Sequence, residues 1–154
     1  MEALTAERCR HVLETGLVGH LGVVDDNGIY VTPVSYVTRG TSIYVRTAPG
    51  RRLDAIRSSP RVCLETCSFD PETGEWESVI AWGDAREVHS ETTLRHVVDD
   101  LLAKYGDSIG NLLSPTRDAA VPFDLYVVVE IPIDEMTGRE SERSFHLPTR
   151  PGRL

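Results

Sequence analysis

Two β-patterned stretches, VGHLGVV (18–24) and IYVTPVSYV (29–37), are separated by Asp25-Asp26-Asn27-Gly28. Asn-Gly is a strong hairpin signal, because a tight reversal needs positive φ and these residues tolerate it. The two stretches are therefore expected to run antiparallel, which commits the chain to a β meander at its start. Pro33 cannot donate to a ladder, so its position belongs at an edge or facing something other than a neighbouring strand. Arg39-Gly40-Thr41 predicts a further turn before a third strand, SIYVRT (42–47). RVCLETCSF (61–69) reads as a fourth strand and WESVIAWGDAREV (76–88) as a long fifth, with a bend at Gly83. DLYVVVEIPI (124–133) reads as the sixth.

Three helices complete the pattern. The first runs between an N-cap at Thr5 and a stop at Gly16, with Cys9, Val12 and Leu13 on one face. A short one spans 51–58 and is closed by Ser59-Pro60. The third spans 90–105, where Leu94, Val97, Val98, Leu101, Leu102 and Tyr105 fall at the spacing of a buried stripe. Six strands with short connections and peripheral helices predict a mainly β, antiparallel small barrel. A length of 154 residues fits one domain, 1–154, with 137–154 a polar, peripheral tail.

Charge narrows the partners. The chain carries a net charge of −8 with a pI near 5.1, which argues against general nucleic-acid binding. No apolar run is long enough to span a membrane. The N-terminus is charged and helix-patterned, not secretory, and three cysteines without framework spacing fit a reducing cytoplasm.

Against this acidic background, Arg46, Arg51, Arg52, Arg57 and Arg61 are interrupted by a single acid, Asp54. Arg51 and Arg52 fall in the first turn of a helix that follows Gly50, the wrong end for cations. A phosphate there would resolve the conflict, since the unpaired N–H groups and both guanidiniums would address one anion. Thr47 adds a hydroxyl just upstream. The plainer reading is that these arginines pair with surface acids. The loop is not a Walker sequence, because GxxxxGK[ST] is absent.

VRTAPGRRLDAIRSSPRVCLE, preceded by YVTPVSYV and followed by WESVIAWGDAREV, resembles the pyridoxamine 5′-phosphate oxidase-like, FMN-binding split-barrel proteins. The branch it most resembles includes the nitroimidazole-resistance-type flavoproteins, and the likeness covers roughly 4–133 in matching order. The resemblance implies a six-stranded split β-barrel and a homodimer with two flavin sites at the subunit interface. It implies Pro33, Val34 and Ser35 beside the flavin ring. Arg46, Thr47, Ala48, Arg51, Arg52 and Leu53 would hold the ribityl chain and phosphate, and Ser78 and Val79 would come from the partner subunit. Two positions depart from the family pattern. Relatives often carry Lys at the place of Arg52, a change that keeps the charge. Resistance-type members often carry His at the place of Arg46, which weakens an expectation of nitroimidazole reduction and could favour a more anionic ligand.

Other chemistry is sparse. Cys63 and Cys67 share one side of a strand, but about 13 Å between their Cα atoms excludes a disulfide. They read as small buried hydrophobes, as does Cys9. The five histidines show no zinc-binding spacing, so no metal site is expected. His20 lies on the first strand between glycines, where it could approach a cofactor or simply pack. Trp76 and Trp82 read as core or dimer interface. No residue stands out as catalytic, which is compatible with a flavoenzyme, because the isoalloxazine carries the electron chemistry. The expected function is an FMN-binding oxidoreductase acting on a small substrate. The alternatives are a deazaflavin (F420) or haem protein on the same barrel, or a non-catalytic flavin-binding module.

Overall fold

The computed structural model describes residues 1–106 and 126–141. Its elements are β1 (Glu2–Ala3), α1 (Ala6–Thr15), β2 (Gly19–Asp25), β3 (Gly28–Val34), β4 (Tyr36–Arg39), β5 (Ser42–Thr47) and α2 (Arg51–Ser58). They continue with β6 (Arg61–Phe69), β7 (Trp76–Asp84), β8 (Arg86–Glu87), α3 (Glu91–Tyr105), β9 (Val127–Pro132) and β10 (Glu135–Glu140). Every strand pair is antiparallel. One sheet has the order β1-β10-β7-β6-β2-β3 and the other β4-β5-β9-β8. The main core lies between them, built from residues such as Leu21, Val45, Leu64, Val79 and Ile131. The result is a mainly β split barrel with three helices among the described residues. Among the described residues, no helix is long and apolar enough to cross a membrane.

Local signals set the helices where the sequence places them. Thr5 caps α1 by accepting from the Arg8 N–H at 3.2 Å, and Ser90 caps α3 by accepting from Thr93. Cys9, Val12 and Leu13 form the buried face of α1. The hairpin joins β2 and β3 in the expected register, Asp25 opposite Gly28, with Asp25 Oδ1 accepting from the Asn27 N–H. The α3 stripe is narrower than its spacing predicts: Val97 and Leu101 are buried, but Leu102 is 41% exposed. Only part of the stripe finds partners, namely Val37, Tyr44 and Val128 on the outside of the smaller sheet.

Several strands break where periodicity reads them as continuous. The stretch 29–37 divides at Ser35, and β3 and β4 belong to different sheets. Tyr36 opens β4 opposite Val45, but its N–H donates to the Tyr105 hydroxyl at 3.0 Å, and its carbonyl accepts from Tyr105 Oη and from Lys104 Nζ. The stretch 76–88 likewise divides, at Ala85, whose N–H turns to the Pro60 carbonyl. Gly83, the expected bend, stays in β7, where a Cβ would lie 2.0 Å from the Pro132 carbonyl oxygen. It is glycine because two backbones touch there. The sixth strand is the shorter β9: Tyr126 and Ile133 lie outside it, and 124–125 lie outside the described residues. The expected tail is corrected at its start: Thr137–Glu140 belong to β10, paired along β7 from Glu135 opposite Trp82 to Glu140 opposite Glu77. Residues 142–154 lie outside the described ones.

β6 corrects the reading of its cysteines. Val62, Leu64 and Thr66 take the core face, so Cys63 is only partly buried and Cys67 is exposed on the opposite face. Cys9 is buried as expected.

Candidate functional site

The five arginines separate into two groups. Three behave as surface cations. Arg51 clamps Asp25 with Nε–Oδ2 at 2.5 Å and lies over the Tyr30 ring. Arg57 pairs with Glu87 at 2.6 Å, and Arg61 pairs with Asp134. The plainer reading holds for these three. Arg46 and Arg52 instead face one cavity of about 430 Å³, lined by Val18, Pro33, Val34, Ser35, Arg46, Thr47, Ala48, Arg52, Leu101 and Tyr126.

Arg52 is the decisive group. It is partly buried in the first turn of α2, and burial lowers its pKa from the ordinary arginine value. Among the described residues it forms no ion pair. Its Nε donates to Thr32 Oγ1 at 2.8 Å, and its Nη1 lies 3.4 Å from Thr47 Oγ1. A guanidinium taken from water and given only hydroxyls remains short of an anionic partner. The backbone around it points the same way. Gly50 caps α2 at φ 145°, a conformation that favours glycine, and supplies no side chain to the free N–H groups of the first turn. Across the cavity, Arg46 lies 3.8 Å above the centroid of the Tyr126 ring, which orients its guanidinium.

The apolar wall comes from the crossover between the sheets. Pro33 lies on β3, the edge strand of the larger sheet, where its missing N–H breaks no ladder bond. Tyr105, at the end of α3, pins the crossover to Leu17 and Tyr36 through one hydroxyl, at 3.0 and 2.9 Å. Lys104 lies 4.0 Å over the Tyr36 ring, and burial pulls its amine down to about 8. The Tyr36 hydroxyl is buried and donates to the Leu13 carbonyl at 2.5 Å, and burial pushes it up to about 12.

Of the residues singled out from the sequence, Pro33, Val34, Ser35, Arg46, Thr47, Ala48 and Arg52 meet at this cavity. Arg51 lies outside it, committed to Asp25. Leu53 is buried in the core. Val79 is also a core residue of β7, whereas Ser78 faces the other side of the sheet and donates to Glu65 at 2.8 Å. Val18, Leu101, Tyr126 and the supporting Thr32 were not singled out. Leu101 is legible only as part of an apolar stripe, and nothing local marks the other three. A larger open groove of about 590 Å³ runs past Arg8, Phe69, Trp76 and Glu77, but it holds none of the predicted residues. Its arginine is already clamped by Glu77 at 2.5 and 2.6 Å.

A family model described as pyridoxamine 5′-phosphate oxidase matches residues 5–140. The chain belongs to the pyridoxamine 5′-phosphate oxidase family. Within the reach of that family, an uncharacterized protein of Rhizobium meliloti (strain 1021) is 27% identical over 145 residues, covering 90% of this chain and 94% of the relative. A FAD-binding protein from Mesorhizobium loti superposes with a TM-score of 0.76 at 23% identity, covering 92% of this chain and 98% of the other. A candidate 5-nitroimidazole antibiotic resistance protein from Bacteroides thetaiotaomicron gives 0.70 at 16% identity, over 90% and 86% of the two chains. These likenesses establish that the split barrel of this pyridoxamine 5′-phosphate oxidase family member is the architecture of both structures.

Proposed function

We propose that this protein binds a flavin nucleotide, FMN, in the cavity between α2, the β3–β4 crossover and Tyr126, and uses it in an oxidoreductase reaction on a small substrate. The observation that carries this reading is Arg52, a partly buried cation held, among the described residues, only by hydroxyls at the uncapped start of a helix. That donor set fits a phosphate monoester: a guanidinium fork, free N–H groups and the Thr47 hydroxyl. Pro33, Val34 and Ala48 offer the flat apolar wall that a planar ring needs, and the cavity volume lies in the range of small-molecule sites. The flavin, when bound, supplies the electron chemistry, and the chain supplies position, charge and exclusion of water. The Mesorhizobium loti structure, described as FAD-binding, supports the flavin class.

The same reading takes the protein as a homodimer. The outer face of the larger sheet exposes Ile29 (79%), Val31 and Val24 beside Trp82 and Ile80, an apolar stretch that a second copy would cover. Ser78 lies on that face and can reach a partner's ligand. The Val79 side chain cannot, because it is in its own core.

The test is the visible absorption spectrum of the purified protein, with the released chromophore weighed by mass spectrometry. A two-band flavin spectrum with the mass of FMN supports the reading, and the mass of FAD keeps the site but extends it towards Arg46. A deazaflavin mass or a Soret band replaces the cofactor with F420 or haem. A colourless protein that takes up none of these overturns it.

A further inference from the structure

A second polar constellation lies beside the cavity, on the outer face of the larger sheet. His20 Nδ1 lies 3.0 Å from Glu65 Oε2, and the Ser78 hydroxyl donates to Glu65 Oε1 at 2.8 Å. The three residues form one hydrogen-bonded rung across β2, β6 and β7. With Nδ1 committed to a carboxylate, the tautomer is fixed as Nδ1–H and Nε2 is left as the acting nitrogen. No partner occupies Nε2 among the described residues, and the side chain remains 45% exposed.

Register places this imidazole at the rim of the cavity, beside the lining residue Pro33 though not itself part of the lining. His20 pairs directly with Pro33 across the β2–β3 ladder, so the two side chains share a face with Cβ atoms about 5 Å apart. Pro33 lines the cavity, and so does Val18, two residues before His20. The other groups facing His20 are Glu65, flanked on β6 by Cys63 and Cys67, and Ser78 on β7, opposite Arg139 of β10. Among the described residues, the polar side chains of the cavity itself are Arg46 and Arg52, the hydroxyls of Ser35 and Thr47, and the Tyr126 phenol.

We propose that His20 is a hydrogen-bonding residue at the rim of the cavity, presenting Nε2 to the ligand seated on Pro33 while Glu65, oriented by Ser78, holds Nδ1. The inference rests on the flavin reading above. A bound flavin would supply the electron chemistry. The chain's own part would be a hydrogen bond from the His20 Nε2 side to the ligand, with Nδ1 held by Glu65. Glu65 is a positioning residue, acting only through the ring.

The experiment is ¹⁵N-histidine NMR of the full chain, with the His20 signals assigned by His20→Gln and FMN occupancy followed by absorbance. The free protein is expected to show His20 as the Nδ1–H tautomer. Saturating FMN should move the His20 Nε2 resonance and leave that of His96 on α3 in place. Glu65→Leu should abolish the tautomer preference and Glu65→Gln, which still accepts a hydrogen bond, should restore it. The reduction potential of the bound flavin, measured at one fixed pH, should differ between the parent and His20→Gln. Bound FMN with an unmoved His20 resonance, or identical potentials, overturns this proposal and leaves the flavin site standing. Absence of FMN binding removes both.

Discussion

Replacing Arg52 by methionine should cost this protein its ligand and not its fold. In the unliganded chain the guanidinium donates one good hydrogen bond to Thr32, at 2.8 Å, and one long one to Thr47, at 3.4 Å. A bond of the first kind contributes about 1 kcal/mol, and the burial of an unpaired cation opposes it. Methionine keeps most of the apolar stem. The unliganded variant should therefore stay within about 1 kcal/mol of the parent, a shift of about 2–4 °C in Tm for a chain of this length. With FMN the balance reverses, because a hydrogen bond to a charged group contributes about 1.5–3 kcal/mol. At 1.4 kcal/mol per decade, the dissociation constant should rise roughly tenfold to a hundredfold. Melting with and without FMN reads both effects. At a ligand concentration a hundred times the parent's Kd, the parent gains about 2.7 kcal/mol and the variant only about 0.4–1.4 kcal/mol. Arg52→Lys, which keeps the charge and loses the fork, should fall between them. Equal FMN affinity in parent and variant would refute the phosphate cradle. A collapse of the unliganded Tm would refute the claim that Arg52 is poorly partnered.

Three further outcomes follow from the packing and the charges. Gly83→Ala would put a methyl group 2.0 Å from the Pro132 carbonyl, so thermal melts should show a loss of about 1–3 kcal/mol or more from overpacking β7 on β9. Glu130 is held below the ordinary carboxylate range by the Arg86 guanidinium first and then by the Ser42 and Tyr44 hydroxyls. Its contribution is therefore present above the unfolded pKa and lost as pH falls through the folded one, so Arg86→Ala should begin acid unfolding at a higher pH by circular dichroism. Lys104 is also lowered, here because burial disfavours its charged form: its amine falls from 10.5 to about 8. Between those values the unfolded chain holds a proton that the folded one lacks, so stability should rise with pH across that window, and Lys104→Met should flatten the rise in denaturant titrations.

The elements governed by short-range chemistry were legible without a structure. α2 begins after Gly50 and ends at Ser58 because a positive-φ glycine and Ser59-Pro60 act within a few residues of the chain. The same is true of the Thr5 cap, of the Asp26-Asn27 reversal and of the span of β6. The cavity wall at 33–35 and 46–48 was also readable, through the family resemblance together with the arginines around Gly50. What the sequence could not disclose is which of two adjacent arginines faces the cavity. Arg51 and Arg52 are about 100° apart on a helix, and the hairpin carries Asp25 to Arg51 while the crossover leaves Arg52 with Thr32. Tyr126 reaches Arg46 from eighty residues along the chain, and His20 meets Pro33 only through the β2–β3 register. Ser35 and Ala85 become breaks because groups far away, Tyr105 and Pro60, take the hydrogen bonds that would have continued a ladder. Local sequence determined the β2–β3 hairpin, the Thr5 cap and the ends of α2, because those choices depend on neighbours within a few residues. The tertiary structure decided where the longer strands break and that Arg52 has no counter-charge among the described residues, because both depend on what the rest of the fold brings within about 4 Å.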